Sequence, residues 1–403
     1  MAASVATSCD RLLSRMAELT GTDRADWFAV FKARHGMQVV LAAAGEATGR
    51  TEVLTQLFTC VTAVDPIIAA GLRPRYVDVS ESSLAIDPAL AHPDARTLAV
   101  VAQHTFGIVD EIETMALRDA AYKAGALLLE DSAHCVGRMA RDKEGMPLAD
   151  VSIHSFGVEK VLPGVYFGGA VWVSPRMGDP TLRSSICTAL SSLPELSART
   201  DRACRRYRNQ MRVFTRVPHA VSVAMRESEA RRGTFEPAVA DEERRGAVRH
   251  EPCLPSAWVS DQATAALGGL GSNEAQRRSC VAAYLGVFGA DPATCPLPLP
   301  ADVRTLAADQ PLLRMPVFFE TTELAERAIA ATAALGHYAQ AWPRPLLLPG
   351  VLDPTPYGLG EGTDAWPVST RLSAGVVGLP TDIDPAAVPA LAQRMLEIAR
   401  EGR

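Results

Sequence analysis

Lysine is almost missing from this 403-residue chain: it stands only at positions 32, 123, 143 and 160, and arginine supplies the rest of the 40 basic residues. Basic charge is not in excess either. The net charge of −6 leaves no footprint for nucleic acid, whose binders carry a concentrated basic surface. No apolar run approaches the ~20 residues that span a bilayer, so no membrane partner is expected. The eight cysteines (9, 60, 135, 187, 204, 253, 280, 295) form no CxxC pair and no metal-ligand spacing. Free thiols in a reduced cytoplasm are the simplest reading. Met1-Ala2-Ala3-Ser4-Val5 lacks the charged leader and apolar core of a secretory signal.

What is present is an ordinary globular composition, 48% hydrophobic and 21% charged, in a chain long enough for two domains. Between about 50 and 175, short β-rich runs alternate with helical ones. Strands are predicted at 53–58, 75–79, 97–103, 126–130, 151–156 and 169–173, with helices at 63–70 and 110–124. Such alternation implies crossover connections and a mostly parallel sheet covered on both faces, an α/β class. Ligands in these sheets lie beyond the carboxyl ends of the strands. Residues 195–250 are arginine-rich, as in Arg202-Ala203-Cys204-Arg205-Arg206, and read as a solvated helix and a mobile connection; the alternative is an arginine surface for an anionic substrate. Helical runs at 261–268 and 274–287 open a second region that ends in Leu379-Pro380-Thr381 and a helix over 386–400. The predicted division is 1–255, a large domain with an N-terminal helical segment, and 256–403, a smaller α+β domain.

The chemistry gathers at one edge of the predicted sheet. Leu127-Leu128-Leu129-Glu130-Asp131 runs into a strand-end carboxylate, and Ser155-Phe156-Gly157-Val158-Glu159-Lys160 carries a hydroxyl and an amine just past another strand. A lysine can form an imine with an aldehyde cofactor. A buried aspartate can keep a pyridine nitrogen protonated, and a serine can hold a phosphate. These are the protein-side needs of pyridoxal 5'-phosphate (PLP). Lys160 is therefore the expected covalent anchor and proton carrier, and Asp131 the partner of the ring nitrogen, although Asp131 could also simply cap a helix. His134 could meet the ring oxygen or the ring face, or merely pack. Ser155 could donate to the phosphate, or pack as a strand residue. His35-Gly36-Met37-Gln38 precedes the apolar run 39–44, so a helix start there could offer N–H groups to the phosphate, with Gly36 allowing close approach beside Met37. Phe58 and Cys60 are candidates to flank the ring, and Phe58 reads equally well as core.

With these residues in view, the chain resembles the DegT/DnrJ/StrS sugar aminotransferases, PLP enzymes of fold type I in the aspartate aminotransferase superfamily. The resemblance runs over roughly 25–385. It is carried by Thr59-Cys60 with Ile67-Ile68-Ala69-Ala70-Gly71, by His104-Thr105-Phe106-Gly107, by Glu130-Asp131-Ser132-Ala133-His134, by Ser155-Phe156 with Lys160 and Gly168-Gly169, and by Leu379-Pro380. It implies a mostly parallel central sheet sandwiched by helices, a small C-terminal domain, and a homodimer with shared active sites. It also implies transfer of an amino group from glutamate or glutamine to a keto sugar, usually nucleotide-linked. Three departures stand out. The family's hydroxyl-bearing phosphate loop is replaced by His35-Gly36-Met37-Gln38, an aromatic is replaced by Cys60, and the partner-subunit asparagine has no counterpart. They leave open a different PLP reaction on a non-sugar metabolite (elimination, or cyclitol or aminated-aromatic synthesis) and a non-catalytic partner subunit.

Overall fold

The computed structural model describes residues 4–289, 295, 297, 299, 305, 309–360 and 364–402. Its frame is a seven-stranded sheet in the order β1-β7-β6-β5-β4-β2-β3, formed by β1 (Trp27–Val30), β2 (Glu52–Thr55), β3 (Arg73–Tyr76), β4 (Thr97–Gln103), β5 (Leu127–Asp131), β6 (Val151–Ser155) and β7 (Gly169–Val173). Strands β3, β2, β4, β5 and β6 run parallel, while β7 is antiparallel to both β6 and β1. The sheet is thus mostly parallel, as the alternation of elements implied.

Every residue of β4, β5, β6 and β7 is buried, because helices cover both faces. Val53, Val101, Leu129, Ile153 and Val171 meet α2 (Ala33–Thr48), α3 (Val61–Ala69) and α5 (Pro180–Ser191). Leu54, Val100 and Leu128 meet α4 (Glu111–Lys123) on the opposite face. At the β1–β7 end, that second face is covered by α1 (Val5–Thr20) and α8 (Ala257–Leu267). Helix α1 carries its apolar stripe on Cys9, Leu12, Leu13, Met16 and Ala17, starts at a Ser4 hydroxyl that accepts from Thr7 N–H, and stops at Gly21 in the left-handed region.

The arginine-rich stretch forms two helices, α6 (Ala198–Phe214) and α7 (His219–Arg231). α6 is a largely solvated helix that buries Ala203, Cys204, Tyr207 and Phe214, against Phe31, Phe167 and Phe235. A second sheet pairs β8 (Arg314–Phe318) with β9 (Val376–Pro380), antiparallel. It packs with α9 (Leu270–Phe288), α10 (Thr322–Ala334), α11 (Pro367–Gly375) and α12 (Val388–Glu401) around Cys280, Val281, Tyr284, Val317 and Leu391. Helix α8 packs on α1, and α9 touches both cores, with Leu270 in the α1 cluster and Cys280 and Val281 in that of the second sheet.

Two of the boundaries that move bear on the site. The strand expected over 53–58 ends at Thr55, which leaves Phe58 in the loop behind it. The helix expected from residue 39 begins at Ala33, which puts Gly36 and Met37 inside α2.

Candidate active site

The pleat of β5 and β6 selects which polar residues reach the site. Alternation sends Leu127, Leu129 and Asp131 to the α2 face, and Val151, Ile153 and Ser155 with them. Glu130, Ser152 and His154 therefore point the other way. Asp131 and Ser155 close the ends of their strands, and Lys160 follows in the turn after β6. A cavity of about 210 Å³ opens at this edge, lined by Lys160, Asp131, His134, Ser155, Met37 and Cys60.

Two of the expected residues are absent from its walls. Gly36 lies under the first turn of α2, where an added Cβ would stand 2.4 Å from Val171 Cγ2, so its small size serves the packing of α2 on β7. Phe58 is fully buried in the core shared with the second sheet, 6.2 Å from the Trp342 ring. Neither Gly36 nor Phe58 lines the cavity, and each is placed where its packing accounts for it.

Lys160 is half-buried, and burial pulls its amine below the usual lysine range, against the raising effects of Cys60, Asp131 and Glu159. Burial pushes the Asp131 carboxyl up, and the Ala133 N–H bond at 2.9 Å with the charges of Lys160 and His104 opposes that. The bond to Ala133 engages one carboxylate oxygen. His134 Nδ1 accepts from the Phe106 N–H at 3.1 Å, so the proton of the neutral ring sits on Nε2. Burial holds this imidazole far below its ordinary range, aided by the charges of Lys160 and Arg314. Its ring meets Trp342 edge-on at 4.7 Å. Ser155 Oγ accepts weakly from Gly157 N–H at 3.3 Å, which leaves its own proton free to donate.

Several residues were not singled out by the sequence. Lys32, Ala33 and Arg34 form the cavity edge at the start of α2, three residues before the predicted loop. Lys32 pairs with Glu236 at 2.5 Å and Arg34 with Glu243 at 2.5 Å. Arg34 also donates to Ala238 O at 2.9 Å. Gly169 permits this edge to close on the sheet, since a Cβ there would lie 2.8 Å from His154 O and 3.0 Å from Ala33 N. Arg314 of β8 and Trp342, two residues past the Gln340 bridge to β9, also line the cavity. The Arg314 side chain is 8% exposed; its Nη1 bonds Asp382 at 2.8 Å, and its buried Nε has no partner. The only sequence signal for these residues was their charge or aromaticity, which spacing alone could not assign.

Below the cavity, His104 Nε2 donates to Glu130 Oε1 at 2.7 Å, and Ser152 Oγ donates to Glu130 Oε2 at 2.6 Å. Burial would raise the Glu130 carboxyl, but His104, Ser152 and the Ala140 N–H outweigh it and hold it low. Among the described residues, no cluster of His, Cys, Asp or Glu could hold a metal ion, and no helix is long and apolar enough to cross a membrane.

The donor set fits PLP: an amine and a strand-end carboxylate share one cavity with a free hydroxyl and the N-terminus of a 16-residue helix. Residues 8–175 match the sequence profile of the DegT/DnrJ/EryC1/StrS aminotransferase family. The chain is 30% identical over 158 residues to a pleiotropic regulatory protein of Geobacillus stearothermophilus, which covers 36% of this chain and 42% of that protein. It is 29% identical over 149 residues to GDP-perosamine synthase of Vibrio cholerae, covering 36% and 40%. These matches span about two fifths of the curated relatives. Among solved structures, Spr1654 of Streptococcus pneumoniae in its PLP form superposes with a TM-score of 0.68 at 16% identity, over 98% of this chain and 91% of that one. At that identity the likeness establishes the fold.

Proposed function

With residues 8–175 belonging to the DegT/DnrJ/EryC1/StrS aminotransferase family, we propose that the chain is a PLP-dependent aminotransferase. It moves an amino group from an amino acid, glutamate or glutamine, to a keto sugar, nucleotide-linked as in the perosamine relative's name. The observation that carries this reading is the meeting of Lys160 and Asp131 in one cavity. A homodimer with shared sites and a cytoplasmic setting belong to the same proposal.

Bound PLP supplies an aldehyde for attachment and a ring that accepts electrons. The protein's residues do the rest. Burial of Lys160 favours the neutral amine, which is the nucleophile and later the base. Burial raises the Asp131 carboxyl against the Ala133 N–H and the charges of Lys160 and His104; paired with a bound ring's nitrogen, it would share and hold a proton there. His134, with its proton on Nε2, would donate to the cofactor ring. Ser155 and the N-terminus of α2 would receive the phosphate, with Arg34 in place of a hydroxyl. Arg314 lines the same cavity, and its guanidinium suits the carboxylate of the amino acid.

The test is spectroscopic. Purified protein with PLP should show a visible band that Lys160→Ala removes, and an amino donor alone should bleach that band as the cofactor becomes aminated. Failure of every candidate donor to bleach it would sink the aminotransferase reading in favour of another PLP reaction. A second reading, a non-catalytic relative serving as a partner subunit, draws on the Geobacillus stearothermophilus relative, whose name is that of a regulatory protein. Protein that stays colourless with PLP would support that second reading.

A further inference from the structure

Glu159, next to Lys160, has a positive φ of 59° without being glycine. A non-glycine residue holds such a conformation only when its surroundings impose it. Here they come from 180 residues away in sequence. Gln340 Nε2 donates to Glu159 Oε2 at 2.8 Å, and the Tyr338 hydroxyl lies 3.4 Å from Oε1. Gln340 is itself fixed: its N–H and C=O bond Gly378 O and N–H at 3.0 and 2.8 Å, which ties it to β9. Two residues on, Trp342 sets its edge against His134. One short segment, 338–342, thus grips the lysine turn at one end and the His134 ring at the other.

We propose that Glu159 is a positioning residue, a clasp that fixes the main chain of the Lys160 turn to the second sheet while the lysine side chain remains free to move. The inference rests on Lys160 being the cofactor-bearing lysine. The clasp has two separable effects. Its hydrogen bonds hold the turn, so the amine returns to the same place when it is released from the cofactor and must carry a proton. Its carboxylate also favours the charged lysine and offsets part of the burial cost. Arg314 stacks over Tyr338 at 5.8 Å, which packs the segment against β8.

Three substitutions separate these effects. Glu159→Gln keeps an acceptor for Gln340 and removes the charge. Glu159→Ala removes both. Glu159→Gly relieves the positive φ but leaves no tether. We expect donor-driven bleaching of the visible band to slow on the order of tenfold in E159A and E159G, and to stay near wild type in E159Q. The pH midpoint of the visible band should fall in all three. Gln340→Ala should slow bleaching as E159A does, and the double variant should be no slower than either single one. Without any cofactor, amide hydrogen exchange over 157–163 should quicken in E159A and Q340A but not in E159Q.

Wild-type bleaching, midpoint and exchange in E159A would overturn the clasp, as would slowing in the double variant equal to the product of the single effects. A wild-type protein with no visible band would instead overturn the role of Lys160, and the exchange measurement would still decide whether the clasp exists.

Discussion

Glu130 and Asp131 are adjacent carboxylates that the pleat of β5 sends to opposite faces of one sheet. Glu130 becomes the centre of a closed hydrogen-bonded group with His104, Ser152 and the Ala140 N–H, while Asp131 reaches the cavity. A third buried carboxyl, Asp65, is neither catalytic nor ion-paired: it lies 2.5 Å from the Tyr357 hydroxyl, and burial pushes it up to about 8. Its folded value exceeds its unfolded one near 3.8, so the folded state binds the extra proton. The stability this group gives is complete below about pH 4 and is lost as pH rises toward 8, with a slope of about 1.4 kcal/mol per pH unit at most. Asp65→Asn should therefore flatten the pH dependence. Melting temperatures compared at pH 5.5 and 8 should show wild type losing more on the alkaline side than D65N, and equal losses would refute the buried-acid account.

At the scale of elements, α2 shows where local rules lose to tertiary contacts. A helix prefers acids at its start because of its dipole, yet α2 opens on Lys32, Ala33 and Arg34. That cationic start made the apolar run 39–44 the more visible helix signal and hid the true N-terminus three residues before the predicted loop. Ion pairs to Glu236 and Glu243, two hundred residues away, offset the unfavourable dipole. The same packing explains Gly36. Gly36→Ala should destabilise the protein by about 1–3 kcal/mol through overpacking against the branched, buried Val171. Urea denaturation of G36A should give a lower midpoint; an unchanged midpoint would mean that α2 and β7 have room to separate. Strands β4 and β7 lie where the sequence predicts them, since continuous apolar runs bounded by polar residues suffice to define buried strands.

On the scale of the whole molecule, the cavity has walls from both sheets' regions, and polar contacts add to the apolar core that joins them. Asp78, just after β3, accepts from Val368 N–H and Ser369 N–H at 2.8 Å each and from Ser369 Oγ at 2.6 Å, capping α11 from across the molecule. Asp78→Ala would leave those helix N–H groups buried and unpaired, at a cost of roughly 2–4 kcal/mol. Limited proteolysis should then cut faster around α11, while the visible band from Lys160 persists. Proteolysis at the wild-type rate would show that the apolar core around Val317 and Leu391 holds the second unit without the cap.

The sequence by itself determined the layered α/β class, the strands that end at the cavity, and the presence of Asp131, Ser155 and Lys160 on one edge. Those follow from short-range facts: apolar runs, period-two alternation, and chemistry placed at strand ends. Tertiary structure alone decided which residues complete the site. Arg34, Arg314, Trp342 and the Glu159–Gln340 contact lie about 70 to 210 residues from their partners in sequence. Their meeting depends on how the second sheet seats on the first, and local spacing carries no information about that seating.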